Sequence, residues 1–347
     1  MAVPLSVVFL VACTSSPTAT TSSPSPGLNG VVHVVRMLPI AASTQVTGLA
    51  VGAGEVWVAS PAAAPYLGGT PAVGSILRFD VTNGTHRSSF STAGDPVGLA
   101  VSGSFLWVAG GSGDHTVSLA DADTVVQSDA ATGQVLFTYV VGQPQALAAD
   151  KDTAWVVAGG IGAVPTTLLR LQGGRVTRIT DLPGQTASNP GFTGNVLAVC
   201  TNGIYVATIE DSSRTVVSRV SIETGATTQV SSVLSAGGTS IACDERGVFF
   251  MINDPGRGGV YRAAPTVDVN PFGSKSASDL AMVSAQLWVV DQVYGDGAGR
   301  VSLFDTATEV ERAQTSLPAG DARLIAADAN GAWVIAGDRL MELRASG

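Results

Sequence analysis

One spacing recurs seven times in this chain of 347 residues. A Leu-Ala or Ile-Ala pair is followed by an aromatic residue eight positions after its first member. The copies are Leu49-Ala50 with Trp57, Leu99-Ala100 with Trp107, Leu147-Ala148 with Trp155, Leu197-Ala198 with Tyr205, Ile241-Ala242 with Phe249, Leu280-Ala281 with Trp288, and Ile325-Ala326 with Trp333. Successive copies start 50, 48, 50, 44, 39 and 45 residues apart, and all five tryptophans fall at this one position. Self-similarity at such a period means stacked supersecondary units, none of which can bury its own apolar face alone.

Each unit reads as strands. In GLAVGAGEVWVAS (48–60) two apolar runs flank Gly52-Ala53-Gly54. Asp150-Lys151-Asp152, Thr201-Asn202-Gly203 and Asp328-Ala329-Asn330-Gly331 supply the same turn chemistry in other copies. The second run is apolar on both faces, as in a strand covered on both sides. A third strand ends in a tight turn, most clearly in ILRFD-VTNG (76–84), VVQSD-AATG (125–133) and VSLFD-TATE (301–309), and a fourth completes the unit. Four strands per repeat of this length is the size of a propeller blade. The expected fold is therefore all-β, a seven-bladed propeller of four-stranded antiparallel blades over residues 31–347. The repeated alanine is small because first strands crowd at the axis, and the aromatic fills the gap between sheets. The seventh copy lacks a fourth strand. VVHVVRM (31–37) is expected to supply it, so that an N-terminal strand closes the ring and removes an exposed edge.

The segment before the ring reads as an address. Residues 3–12, VPLSVVFLVA, form an apolar run too short to span a bilayer, and Cys13 follows in Leu10-Val11-Ala12-Cys13. This resembles the lipobox of bacterial lipoproteins, which implies cleavage before Cys13 and lipidation of its thiol. The n-region Met1-Ala2-Val3 departs from that pattern in carrying no Lys or Arg. Residues 1–13 are thus expected to be a signal peptide with its lipobox cysteine. Residues 14–30, rich in Ser, Thr and Pro, are expected to be an unfolded tether. The expected location is extracytoplasmic, with the lipid as the only membrane attachment.

The repeats GLAVGAGEVWVAS and DAATGQVLFTYVVGQPQALAADKDTAWVVAG resemble the YVTN-type, quinoprotein-like propellers of bacterial surface proteins. The resemblance implies the fold but little about activity, since such propellers serve as sensors, scaffolds or enzymes. Virginiamycin B lyase, a seven-bladed relative, works with a metal and a catalytic His. Abundant Ala, Val, Gly and Thr with two lysines also suits a high-GC bacterial genome.

Function is far less constrained. The net charge is -9 and no basic cluster exists, which argues against nucleic-acid binding. The connections after second strands are long at Pro61 to Gly74 and Gly110 to Asp123, and the approach to the fourth copy is long at Pro183 to Asn195. These connection types share one face of a propeller, where binding is expected. Two residues before each anchor stand Thr47, Val97, Gln145, Asn195, Thr239, Ser278 and Arg323, six of them polar. They are expected to ring the channel mouth on that face, meeting either channel water or a small polar ligand.

The three histidines, His33, His86 and His115, are scattered and suit no common centre. Asp121 with Asp123, and Asp291 with Asp296, lack a calcium-loop spacing and read as solvated turns. No catalytic residue, metal or cofactor is expected. The leading expectation is a monomeric binding or scaffold module for an envelope protein or small polar ligand. A metal-dependent lyase or hydrolase using Asn195 or Arg323 is the alternative. Cys200 and Cys243 fall near the first strands of blades four and five at offsets that differ by one residue. The sequence leaves open a disulfide or two buried thiols.

Overall fold

The computed structural model describes residues 30–40, 46–60, 74–92, 95–111, 124–159, 165–186, 196–211, 213–235, 238–254, 256–264, 271–291, 299–318 and 322–346. Among these residues all regular structure is β, arranged as seven antiparallel sheets. Blade one is Gly48–Gly52, Glu55–Ser60, Ser75–Asp80 and His86–Ser91, paired in that order. Blades two, three and six repeat this order. In blade four the innermost strand is split. Leu197–Cys200 and the short Gln185–Thr186 both pair with Gly203–Glu210. Blade five has Gly238–Cys243, Val248–Asn253 and Gly259–Ala264, with Phe272 bridged to Val260 at the outer position.

Blade seven shows how the circle closes. Its strands Ala322–Asp328, Gly331–Ala336 and Arg339–Ser346 are completed by Val31–Pro39, which pairs antiparallel with the last strand from Val31↔Ser346 to Pro39↔Arg339. The expected closing strand is therefore present, and Val32 is buried in the blade-six to blade-seven core. The first strands of neighbouring blades touch all the way round, and the first strand of blade seven meets that of blade one.

Burial falls from the middle of each blade to its rim. Glu55–Ser60 and Thr153–Ala158 are buried at every position, whereas the outer strand Val135–Val140 is exposed at all but one. The seven repeat aromatics are at most 3% exposed. Each packs into the following blade: Trp57 against Leu106 and Val108, Trp107 against Val156, Trp288 against Val334, and Trp333 against Val56 and Val58. The core is thus a set of seams between sheets, not one central nucleus.

The turns after third strands share a device. Asp80 Oδ1 accepts the amides of Thr82 and Asn83, and Asp305 Oδ1 accepts those of Ala307 and Thr308. Four residues after Asp80, Asp129 and Ser221 the backbone is left-handed, at Gly84 (φ 71°), Gly133 (φ 73°) and Gly225 (φ 70°), whose amides bond back to those residues' carbonyls. Glu309 holds this conformation without being glycine (φ 59°), and its carboxylate pairs with Arg262 of blade five at 2.8 Å.

Because each aromatic serves two sheets, Trp288→Ala should cost about 3–5 kcal/mol. It should also loosen blades six and seven together. Urea unfolding and amide exchange check this; a loss confined to blade six would contradict the seam.

Candidate functional site

The first strands form the inner wall, and their side chains alternate between the two neighbouring blades. The residue just before each anchor faces the next blade. At Gly48 an added Cβ would lie 2.9 Å from Leu99 Cβ, and at Gly98 it would lie 3.4 Å from Leu147 Cβ. Glycine there lets the first strands of blades one, two and three approach closely.

In blade six the same position is Asp279, and its environment differs. Its Oδ1 accepts the Ser240 hydroxyl of blade five at 2.7 Å and the Leu280 amide at 2.9 Å. Its Oδ2 accepts the Ile325 amide of blade seven at 2.9 Å. One side chain therefore ties three consecutive blades together. Asp279 is 5% exposed. Burial pushes its carboxyl up to about 7, against the opposing pull of the Ile325 amide, the Ser240 hydroxyl and the Leu280 amide.

The residues two before each anchor are drawn into the wall. Thr47 donates its hydroxyl to the Pro96 carbonyl of blade two, and Ser278 donates to Val290 O at 3.2 Å or Ala322 O of blade seven at 3.1 Å. Thr239 and Ser278 are buried. Gln145 is half-buried with its amide 3.5 Å from Gln143 O, and Arg323 is exposed. The hydroxyls of Thr47 and Ser278 thus bond neighbouring blades, a use that the expected ring at the channel mouth did not include. Asn195 lies outside the described residues, as do Cys13, His115, Asp121, Asp123 and Asp296. So do 61–73 and 112–123, which make up nearly all of the two long connections, and 187–195.

The two described histidines sit on outermost strands: His33 beside Ser346, and His86 beside Ser89. Asp291 is buried, and its Oδ2 receives Arg300 Nε at 2.9 Å and Nη2 at 2.7 Å. Among the described residues no group of three or more His, Cys, Asp or Glu could hold a metal ion. Cys200 and Cys243 form a disulfide with Cα atoms 6.0 Å apart, linking the first strands of blades four and five.

Sequence reasoning missed a recurrent arginine. Arg78, Arg170, Arg219 and Arg262 stand in third strands directly opposite the aromatics Trp57, Trp155, Tyr205 and Phe249. Arg78 lies 5.2 Å from the Trp57 ring centre and donates to Ala131 O of blade two at 2.8 Å. Arg262 lies 5.1 Å from the Phe249 ring and reaches Thr306 O of blade six. The Arg78 and Arg262 guanidinium groups thus cover their aromatic wedges and fasten them to the next blade's turn, whereas Arg170 and Arg219 bond within their own blades, to Gln172 and to Asn202 O.

The described part of the face that carries second-to-third and fourth-to-first connections holds a cleft of about 420 Å³ between blades four and five. Val233, Leu234, Tyr261 and Pro271 line it together with Arg257 and Lys275.

Two expectations follow. The Asp279 carboxyl is raised in the fold from the ordinary value near 3.8 to about 7. Its stabilising contribution is complete below about pH 4 and is lost as the pH rises to about 7, by roughly 4 kcal/mol. Asp279→Asn should abolish that component, so the stability difference between wild type and variant should shift over this interval. Parallel profiles of urea midpoint against pH would contradict it. Cys200 and Cys243 are 43 residues apart, so replacing both by Ala should cost about 4 kcal/mol on the chain-entropy account. Thermal melts with and without reductant check that value.

No family model matches the chain, and no curated protein matches it. Solved structures do. The Cps50 (Swd1) beta-propeller domain of Myceliophteria thermophila superposes with a TM-score of 0.60 at 10% identity, covering 90% of this chain and 99% of that one. The Pan2 WD40 domain of Neurospora crassa gives 0.62 at 12% identity, covering 90% and 95%. The computationally designed Ika8 protein gives 0.57 at 14% identity, covering 88% and 98%. At such identities the likeness concerns the fold alone: the chain is a seven-bladed β-propeller.

Proposed function

We propose that this propeller is an extracytoplasmic, lipid-tethered binding module of the YVTN-like kind. It acts as a monomer and engages an envelope protein or a small polar ligand through its loop-rich face, without catalysis. The observation that carries the location is the Cys200–Cys243 disulfide, because such bonds form and persist in oxidising compartments. The apolar run, Cys13 and Ser/Thr/Pro segment that precede the ring agree with a lipid tether. Binding through loops on a stiff ring follows from the architecture, since the seams fix the blades while the connections vary in length. The metal-dependent lyase reading draws no support from His33 and His86, which lie on rim strands.

Cys13→Ser should move the chain from the membrane fraction to the soluble fraction and remove incorporation of a fatty-acid label; unchanged partitioning would contradict the anchor. Shortening 61–74 and 110–123 should abolish capture of a membrane partner while leaving the melting temperature within a few degrees of wild type. Undiminished capture would rule out that face.

A further inference from the structure

We propose that the cleft between blades four and five binds a small organic anion, its apolar body resting on Leu234 and Pro271 and its carboxylate or phosphate head held by Arg257 and Lys275. The proposal rests on the loop-rich face being the binding face and specifies a ligand class there. The cavity, about 420 Å³, is the size of small-molecule sites. Leu234 is 62% exposed at its edge, an apolar side chain without cover.

The two cations come from separate segments of chain. Arg257 belongs to the turn between Val248–Asn253 and Gly259–Ala264, and Lys275 to the approach to Ala277–Val283. What brings them to one cleft is Gly258. A Cβ added there would lie 2.3 Å from both the Asp254 and the Lys275 carbonyl oxygens, so only glycine lets the two backbones meet.

The turn itself is stiffened. Asp254 Oδ1 accepts the Gly256 and Arg257 amides at 2.7 and 2.9 Å, its Oδ2 accepts the Ser235 hydroxyl at 2.7 Å, and Tyr261 donates its hydroxyl to Arg257 O. Arg257 Nη1 donates to Leu234 O at 2.8 Å, which orients the guanidinium beside the apolar edge. Among the described residues neither Arg257 nor Lys275 forms a salt bridge. Asp254 attracts Arg257, while its Oδ1 is engaged by the turn's amides and its Oδ2 by the Ser235 hydroxyl of the preceding connection. In a chain of net charge -9 with two lysines, two cations on one cleft are a local concentration of positive charge. Ser231 and Ser232 add hydroxyls to the same wall.

The test is calorimetric titration of the purified full-length chain with phenylphosphate, benzoate, inorganic phosphate and benzyl alcohol. At least one aromatic anion should saturate and benzyl alcohol should not. The order of phenylphosphate and benzoate, with inorganic phosphate as the bare head, identifies which oxyacid is preferred, and either order supports the site. Lys275→Gln, a change at an exposed residue, should weaken the anion about tenfold with an unchanged melting temperature. Added salt should weaken it further. Equal affinity in Lys275→Gln, or no saturation by any anion up to roughly 10 mM, would overturn the proposal. No partner protein enters the titration, so a failed result leaves loop-dependent capture standing, and a loss of that capture leaves the titration interpretable.

Discussion

The structure depends on an aromatic side chain shared between two sheets. A four-stranded blade of this size cannot enclose a core. Its second strand is buried on both faces only because neighbouring blades cover it. Trp57, Trp107, Trp155, Tyr205, Phe249, Trp288 and Trp333 are the bodies that fill those seams, each from one blade into the next. Seven seams have to close on themselves, and the pairing of Val31–Pro39 with Arg339–Ser346 supplies the last outer strand.

Polar groups refine this apolar frame. Arg78 and Arg262 lie over their wedge aromatics and bond to the next blade's turn. Thr47 and Ser278 stitch adjacent first strands. Asp279 stands where blades one and two have glycine, and it meets the amide of the next anchor with a carboxylate. A buried carboxyl held by three donors from three blades ties them together, and its raised pKa links the stability of that junction to pH.

What was legible in the sequence was whatever recurs at a fixed distance. The anchor, the alanine and the aromatic are separated by a hairpin of nearly constant length, so they read directly as first and second strands. The closing strand was legible by subtraction, since the seventh repeat was one strand short. The arginines opposite the aromatics were not, because the connection after the second strand varies. Arg78 is 21 residues from Trp57, but Arg262 is only 13 from Phe249. Asp279 was hidden for a different reason: its role exists only through Ser240 and Ile325, one on each neighbouring blade. The polar residues before the anchors were read as a ring at the channel mouth; that two of their hydroxyls, on Thr47 and Ser278, also satisfy carbonyls of the neighbouring blade depends on contacts that spacing along the chain does not carry. The cleft at Arg257 and Lys275 joins residues of two connections, and sequence spacing carries no trace of it.

A ring without free ends should behave as one cooperative body. Hydrogen exchange resolved to single strands measures this in native buffer. The amides of Val31–Leu38 that bond to Arg339–Ser346, and those of Arg339–Ser346 itself, should be protected far beyond an unstructured peptide and should lose protection together with the rest of the ring. Exchange of 31–39 as fast as in an unstructured peptide, with the remaining blades still protected, would show that the circle is not closed by this strand.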